Sequence, residues 1–213
     1  CSSAANAIII AAHSILNGDN ELVLAGGTDA LSRFTINGFN SLMIYDKEAY
    51  CRPFDVTRKG LNLGEGAAHL LLASEKFIEE HNITPIAEYR GGANANDAYH
   101  QTASSPDATG AIMAMESALQ MAGLSPDAID YVNAHGTATE NNDNTEQKAI
   151  ESVFNHKVDF SSTKGFTGHT LAAAGGIEAV YSILALQNDL AFANIHCENP
   201  INEEHSPLKA TKR

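Results

Sequence analysis

Cys1 stands in the sequence context of a nucleophile. It opens the stretch CSSAANAIIIAAHSILNG, in which small and apolar residues from Ala4 to Ile15 repeat at helical spacing before Gly18 ends the run. Cys1 therefore lies at or just before a helix N-terminus, where free N–H groups and the helix dipole favour a thiolate. An N-terminal nucleophile hydrolase, a mature bacterial lipoprotein and an incidental start are the other interpretations of a terminal cysteine.

Three further side chains, His135, Lys164 and His169, follow short apolar runs. His135 follows IDYVNA at 129–134, and the other two follow the run at 158–161. A strand that stops at a polar turn just before a helix is where α/β folds place their chemistry. A solvated lysine beside an idle histidine is the alternative for either turn alone, but two such turns favour a functional site.

These side chains need a set of alternating strands and helices to position them. Strands are predicted at 21–25, closed by Gly26 and Gly27, and at 67–73, 85–91, 129–134, 158–161 and 190–195. Helices are predicted at 4–15, through Glu80, at 109–121, from a cap at 142–145 to Val153, and at 172–187. Residues 28–45 have no clear period and are assigned to helix and loop.

The small residues from Ala172 to Gly176 have a mechanical interpretation. Two glycines inside a helix cost roughly 1 kcal/mol each relative to alanine. Gly175 and Gly176 are best explained if another backbone passes very close to the helix they open. This predicts a tightly packed, central helix.

Composition narrows the classes of partner. The chain has 213 residues, with 13 basic and 26 acidic side chains and a formal charge of −13, which argues against nucleic acid or an anionic membrane as a partner. No apolar run approaches the roughly 18 residues of a membrane span, and no signal peptide is evident. Cys1, Cys51 and Cys197 have no metal-like spacing and indicate reduced thiols in a cytoplasm.

Four motifs in this order resemble those of the β-ketoacyl–acyl carrier protein synthases, the condensing enzymes of fatty acid and polyketide synthesis. They are Cys-Ser-Ser at 1–3, RPFDVTRKGLNLGEGAA at 52–68, HGTAT at 135–139, and STKGFTGHTLAAAG at 162–175. The loop NDAYHQT at 96–102 is similar to the elongating type II branch, and the resemblance runs to about Pro200. It implies a thiolase-like α/β fold with five α-β-α-β-α layers, here the end of the N-terminal half at 1–84 and most of the C-terminal half at 85–213.

The resemblance also implies roles for individual residues. Cys1 would accept an acyl group, and His135 and His169 would donate hydrogen bonds to the enolate formed when a malonyl thioester loses CO₂. Lys164 would act electrostatically, paired with Glu146 and with Asp143. Thr137 and Thr139 match threonines that hold the phosphopantetheine arm of an acyl carrier protein. No metal or redox cofactor is implied.

The resemblance further implies a homodimer, or a heterodimer with a related ketosynthase, and a fragment that lacks the family's final strand and loop. Ala172 stands where the family usually has glycine, a mild change in a helix. A non-condensing partner subunit of the chain-length-factor type usually lacks the cysteine, and thiolases use a second cysteine in a glycine-rich context that Cys197 does not have. An N-terminal nucleophile hydrolase leaves the motifs after Cys1 unexplained.

Overall fold

A computed structural model describes residues 1–47, 50–101, 103–154 and 158–213. Within these ranges the chain forms seven α-helices and four strands. In chain order they are α1 (Ser3–Leu16), β1 (Leu22–Asp29), α2 (Arg33–Ser41), β2 (Gly66–Ala73), α3 (Glu75–His81), α4 (Thr109–Ala122), β3 (Tyr131–Asn133), α5 (Glu140–Val153), β4 (Asp159–Ser161), α6 (Lys164–Thr167) and α7 (Ala174–Asn188). Short 3₁₀ turns at Pro126–Ala128 and Leu171–Ala173 precede β3 and α7.

The first sheet is an antiparallel pair of β1 and β2, in register from Leu22 opposite Ala73 to Asp29 opposite Gly66. The prediction that Gly26 and Gly27 close the first strand is wrong, because β1 runs through both of them. A side chain at Gly27 would meet the backbone oxygen of Ala172 at 2.4 Å. These glycines therefore let neighbouring backbones approach the strand rather than ending it.

The second sheet pairs β3 and β4 in parallel, with Tyr131 opposite Asp159 and Asn133 opposite Ser161. Its apolar side chains join residues of α5 in the larger core of the molecule. The buried members are Phe54, Ala134, Ile150, Val153, Phe154, Val158, Phe160 and Cys197. Because both strands point the same way, the residues that follow them, including His135 and Lys164, emerge at one edge.

Helices α1 and α7 pack against each other, and α7 contacts both β2 and β3, so these helices lie between the two sheets. The glycines of α7 make this packing possible. A Cβ at Gly175 would lie 2.8 Å from the backbone nitrogen of Ala5, and one at Gly176 would lie 2.8 Å from the backbone oxygen of Ala68. The close backbone approach predicted from the sequence is confirmed, with α1 and β2 as the neighbours.

Two predicted strands are not strands in the structure. Residues 85–91 form no ladder with any strand of the described chain. The segment 190–195 makes a single antiparallel bridge, between Ala191 and Lys212. Hydrophobic runs satisfy the pattern of a strand, but a strand also needs a partner.

Two helix boundaries also differ from the prediction. Helix α5 begins at Glu140, after Thr139 in the capping position, and not in the interval 142–145. Lys164, predicted to lie in a turn, begins the single helical turn α6. Among the described residues, no helix is both long enough and apolar enough to cross a membrane.

Candidate active site

Cys1, His135 and His169 meet in space although up to 168 positions separate them in the chain. The thiol sulfur and one ring nitrogen from each histidine all lie within 4.8 Å of one another. The two imidazole rings are 5.0 Å apart between centroids and nearly perpendicular, at 85°. Cys1 is exposed and His169 is buried, so the cluster has one open side.

Three different elements bring these side chains together. Cys1 immediately precedes Ser2, the capping residue of α1, as the sequence predicted. His135 follows β3. His169 follows α6, the helical turn that comes after β4. The backbone of His169 is held on both sides, because its N–H donates to the Asn62 oxygen at 2.8 Å and its oxygen accepts from the Gly64 N–H at 3.0 Å.

His169 is fixed in one neutral form. The backbone N–H of Leu171 donates to its Nδ1 at 3.2 Å, which leaves the ring proton on Nε2. Leu171 adopts a positive φ of 51°, a strained conformation for a leucine, in the turn that provides this N–H. Burial, together with the neighbouring His135 and the positive charge of Lys164, lowers the pKa of His169 to about 2, so the ring is a neutral Nε2–H donor at physiological pH.

His135 is held in the same form by Lys164. The ammonium of Lys164, itself 2% exposed, lies 2.6 Å from the backbone oxygen of His135 and 3.1 Å from its Nδ1. An ammonium can only donate, so Nδ1 accepts and the ring proton lies on Nε2. Both histidines therefore direct an Nε2–H group towards the space beside Cys1.

The counter-ion of Lys164 is Glu178, which the sequence analysis missed. Its Oε1 forms an ion pair with the lysine ammonium and lies 3.8 Å from Nδ1 of His135. Burial alone would raise the pKa of Glu178, but the positive charge of Lys164 beside it keeps this pKa below its ordinary value. Glu178 is the one charged residue in the otherwise apolar or neutral helix α7, and this isolation was the available signal.

The predicted pairing of Lys164 with Glu146 and Asp143 is wrong. Glu146 accepts the backbone N–H groups of His135 at 2.6 Å and Gly136 at 2.8 Å, so it holds the turn after β3 rather than the lysine. Glu146 is on the first turns of α5, facing that loop, whereas Glu178 lies on α7, beside which Lys164 is buried.

Asp143 performs a related task from the same helix. Its two oxygens accept the backbone N–H groups of Phe54 at 2.7 Å and Ala138 at 3.1 Å, and Arg58 Nε lies 3.5 Å away. The side chain is fully buried, and burial outweighs the charge of Arg58, raising the pKa of Asp143 to about 6. Asp143 thus ties the loop after Cys51 to the turn that carries His135.

Thr137 and Thr139 lie in the same turn. Thr137 is buried and Thr139 is half-buried, and their hydroxyl groups are 2.8 Å apart. The hydroxyls are thus hydrogen-bonded to each other beside His135. The sequence analysis also singled out the loop at 96–102. Its last residue, Thr102, lies outside the described residues.

A cavity of about 410 Å³ adjoins the backbone that holds His169. Asn62 and Leu63 form part of its wall, and the same two residues border His169 through the hydrogen bond to Asn62 and the bridge between Leu63 and His169. The remaining wall comes mainly from α2 and the segment after it, with lining residues Leu31, Ile36, Asn40, Tyr45, Asp46 and Lys47.

Family models match both parts of the chain. The beta-ketoacyl synthase C-terminal domain matches residues 86–198, and the beta-ketoacyl synthase N-terminal domain matches residues 1–77. The chain belongs to the β-ketoacyl synthase family. The resemblance noted from the four sequence motifs is confirmed.

Individual relatives agree with this membership. The chain is 38% identical over 209 residues to 3-oxoacyl-[acyl-carrier-protein] synthase 2 of Coxiella burnetii, covering 94% of this chain and 50% of that protein. It is 36% identical over 228 residues to the mitochondrial 3-oxoacyl-[acyl-carrier-protein] synthase of Arabidopsis thaliana, covering all of this chain and again 50% of the relative. The chain thus spans about half the length of these two β-ketoacyl synthases.

Solved ketosynthase structures establish the fold. A chain of a type II polyketide synthase complex, described as an acyl-carrier protein with its ketosynthase bound to the hexaketide, superposes on this chain with a TM-score of 0.95 and 28% identity, covering 100% of this chain and 55% of that one. The predicted thiolase-like α/β fold is confirmed, and helices α1 and α7 between the sheets are its inner layer.

Proposed function

We propose that this chain provides the catalytic centre of a 3-oxoacyl-[acyl-carrier-protein] synthase, which joins an acyl group to a malonyl unit with loss of CO₂. The observation that carries the proposal is the cluster of Cys1, His135 and His169, in which one thiol and two neutral imidazoles have reacting atoms within 4.8 Å of one another. A nucleophile beside two hydrogen-bond donors matches the requirements of acyl transfer followed by decarboxylation.

In the first step, Cys1 takes the acyl group. Its thiolate attacks the carbonyl carbon of an acyl thioester on a carrier protein, and a carbon–sulfur bond forms to Cys1. The bond from that carbon to the carrier sulfur breaks, and the carrier leaves as a thiolate that takes up the proton released by Cys1. The position of Cys1 before α1 supports this role, because the first N–H groups of a helix and its dipole stabilise a thiolate. The exposed side of Cys1 admits the carrier-bound substrate.

In the second step, the two histidines stabilise negative charge. The bond between the carboxylate carbon and the α-carbon of the malonyl thioester breaks, CO₂ leaves, and the electron pair forms an enolate. The Nε2–H groups of His135 and His169 donate to the enolate oxygen. The α-carbon then attacks the acyl carbonyl on Cys1, and the cysteine leaves as a thiolate.

Lys164 acts through His135 and not on the substrate. It is buried, it donates to Nδ1 and to the backbone oxygen of His135, and it is paired with Glu178. An ammonium in this position keeps the ring proton of His135 on Nε2, where the enolate needs it. We therefore assign Lys164 as a positioning residue.

We propose that the acyl chain lies in the cavity of about 410 Å³ between α2 and the segment at 61–64. Leu31, Ile36 and Leu63 give it apolar walls, and Asn62 and Leu63 connect it to His169. Thr137 and Thr139, beside His135, are proposed to contact the phosphopantetheine arm. The first assignment rests on the contacts of Asn62 and Leu63 with His169, and the second on the position of both threonines in the turn after His135.

We propose an acyl carrier protein and a second ketosynthase-type subunit as partners. In the solved relatives, one ketosynthase is in complex with its acyl carrier protein, and another, from Xenorhabdus doucetiae, is in complex with its chain length factor. The further proposals are a division at residues 84 and 85 into two halves of the family fold, substrates carried on phosphopantetheine with no bound cofactor, and a cytoplasmic location. The matches at 1–77 and 86–198 support the first of these.

The test separates the two half-reactions in the longest natural polypeptide that contains residues 1–213. Cys1→Ala is expected to abolish acylation, measured by intact mass after incubation with acyl carrier thioester, while decarboxylation of malonyl carrier thioester continues. His135→Ala and His169→Ala are expected to stop decarboxylation while Cys1 is still acylated. A Cys1→Ala protein that condenses at the normal rate would refute the proposed nucleophile.

A matched control comes from the other cysteines. Burial raises the pKa of both Cys51 and Cys197 to about 12, so neither is a reactive thiol. Cys51→Ala and Cys197→Ala are expected to retain both half-reactions. If no variant or wild-type protein is acylated, the proposed activity is wrong, and a non-condensing partner subunit becomes the better assignment.

A further inference from the structure

The active-site cluster has the donor set of a zinc site. One thiol sulfur and one nitrogen from each of two histidines, within 4.8 Å of one another, are the ligands that Zn²⁺ takes in open, three-ligand sites. Zinc-to-ligand distances of about 2.0–2.3 Å require ligand atoms roughly 3.5 Å apart, so a contraction of about 1 Å would complete the site. Cys1, the member of the cluster on its open side, is exposed and in no disulfide bond.

The hydrogen bonds behind the cluster oppose this use. A histidine binds a metal through a nitrogen that carries no proton, and its other nitrogen usually donates to a carboxylate or carbonyl group. Here Nδ1 of His169 accepts a hydrogen bond from the Leu171 N–H, and Nδ1 of His135 accepts one from the ammonium of Lys164. The nitrogens left to face Cys1 are the two Nε2 atoms, and both carry protons.

We infer that Lys164 and the Leu171 N–H make the Cys1–His135–His169 cluster reject Zn²⁺ and similar thiol-seeking divalent ions. Binding such an ion at Nε2 would place a proton on each Nδ1, facing an N–H donor that cannot move away. For His169 that donor is a backbone group in a turn packed behind the ring, and for His135 it is a buried ammonium. The cluster can donate two hydrogen bonds but cannot offer two nitrogen lone pairs.

Lys164 is the residue through which this selectivity can be reversed. Oε1 of Glu178 lies 3.8 Å from Nδ1 of His135, on the same side as the lysine ammonium. Without the ammonium, His135 could donate Nδ1–H to Glu178 and present a free lone pair at Nε2. Cys1 and His135 would then offer a thiolate and one nitrogen to the ion, while His169 remains a donor. A carboxylate behind a ligating histidine is the arrangement found in zinc sites, and such partners change metal affinity by about 10–100-fold.

The experiment measures Zn²⁺ binding to the full-length protein without substrate, by competition with a chromogenic chelator, so its result does not depend on the proposed reaction. Wild type is expected to show no saturable site at micromolar free Zn²⁺ that depends on Cys1. Lys164→Met is expected to bind one Zn²⁺ per chain at least about 10-fold more tightly than wild type. Adding Cys1→Ser to Lys164→Met is expected to remove that site.

Lys164→Arg is the matched control, because a guanidinium also donates to Nδ1 and cannot lose its proton. It is expected to reject Zn²⁺ as wild type does. Cys1-dependent binding to wild type at micromolar Zn²⁺ would overturn the inference, and so would a folded Lys164→Met protein that binds no better than wild type. Nitrogen-15 chemical shifts of the two imidazoles provide a check on wild type alone, where both rings are expected to be protonated at Nε2.

Discussion

At the scale of single residues, the site is organised by which atom holds a proton. Lys164 and the Leu171 N–H, two donors of quite different kinds, set His135 and His169 in the same neutral form. This arrangement requires a buried ammonium group, and the carboxylate of Glu178 balances its charge. Glu178 is therefore as necessary to the geometry as the residues recognised from their motifs.

We predict that Glu178→Gln lowers the free energy of unfolding by about 3 kcal/mol. The substitution leaves the ammonium of Lys164, 2% exposed, without a counter-charge in the interior. Urea denaturation of the full-length protein at pH 7 measures the change. The double variant Lys164→Met with Glu178→Gln removes both charges and is expected to recover part of the loss. A double variant less stable than Glu178→Gln would argue against the ion pair as the cause.

The same pair gives a dependence on pH. The folded pKa of Glu178 is below its ordinary value of 4.5, so the ionised form contributes stability that is present above pH 4.5 and is lost as the pH falls through the folded pKa. We predict that the difference in unfolding free energy between wild type and Glu178→Gln shrinks between pH 5 and pH 3. Paired denaturation curves across this range measure it, and a constant difference would be inconsistent with a titrating Glu178.

At the scale of elements, helix α5 holds the loop that presents His135. Glu146 binds two backbone N–H groups of that turn, and Asp143 joins the turn to the loop that contains Phe54. A turn that leaves a three-residue strand has few hydrogen bonds of its own, so side chains from the next helix supply them. The geometry of the turn that carries His135 thus depends on two carboxylates, Glu146 and Asp143, that are not part of the Cys1–His135–His169 cluster.

We predict that Asp143→Asn is less stable than wild type by about 1–3 kcal/mol at pH 7, because an amide nitrogen would face one of the two backbone N–H groups that the carboxylate accepts. The pKa of Asp143 is raised to about 6 from 3.8, so its contribution is greatest below pH 3.8 and decreases as the pH rises through 6. Wild type is therefore expected to lose stability relative to Asp143→Asn between pH 4 and pH 7. Equal slopes for the two proteins would contradict the raised pKa.

The packing of α7 gives a prediction with an internal control. Gly176→Ala gains about 1 kcal/mol of helix propensity, but its Cβ would lie 2.8 Å from the backbone oxygen of Ala68 in β2. We predict a net loss of stability. Gly38 lies inside α2 with nothing within 4 Å of its Cβ position, so Gly38→Ala is expected to raise stability by about 1 kcal/mol. Thermal unfolding compares the stabilities of the two variants with that of wild type. A stabilised Gly176→Ala protein would contradict the prediction, because it would show that β2 can move away without loss of stability.

Local patterns predicted most of these elements, and the exceptions have physical reasons. Helices α1 and α4 have regular apolar spacing and were predicted within two residues of their ends. The segments 85–91 and 190–195 have the composition of strands, but in the described chain the first joins no ladder and the second makes a single bridge, between Ala191 and Lys212. The partner of Lys164 was mistaken because the pairing was taken from the recognised motif around His135, which includes Glu146, whereas the fold places α7 against the lysine. Non-local contacts decide such questions, and a single sequence carries little information about them.

At the scale of the whole molecule, the sheet of β1 and β2 has one face packed on the inner helices and one face turned outward. The outward face is apolar where Leu24 and Leu71 stand opposite each other, 66% and 65% exposed. Exposed apolar side chains of this size in one place favour association. The net charge of −13 opposes it through mutual repulsion between copies.

We predict that the 213-residue polypeptide self-associates through this face, and more strongly as added salt screens its charge. Leu24→Thr with Leu71→Thr keeps the preference for strand structure but removes the apolar pair, so light scattering at high salt is expected to fall. Leu186, 71% exposed near the end of α7, is a matched control, and Leu186→Thr is expected to leave association unchanged. The sheet is the wrong surface if the double variant associates like wild type. A decrease in light scattering for both the double variant and Leu186→Thr would also contradict the prediction. Association would then depend on the total exposed apolar area and not on the flat, contiguous face that the sheet provides.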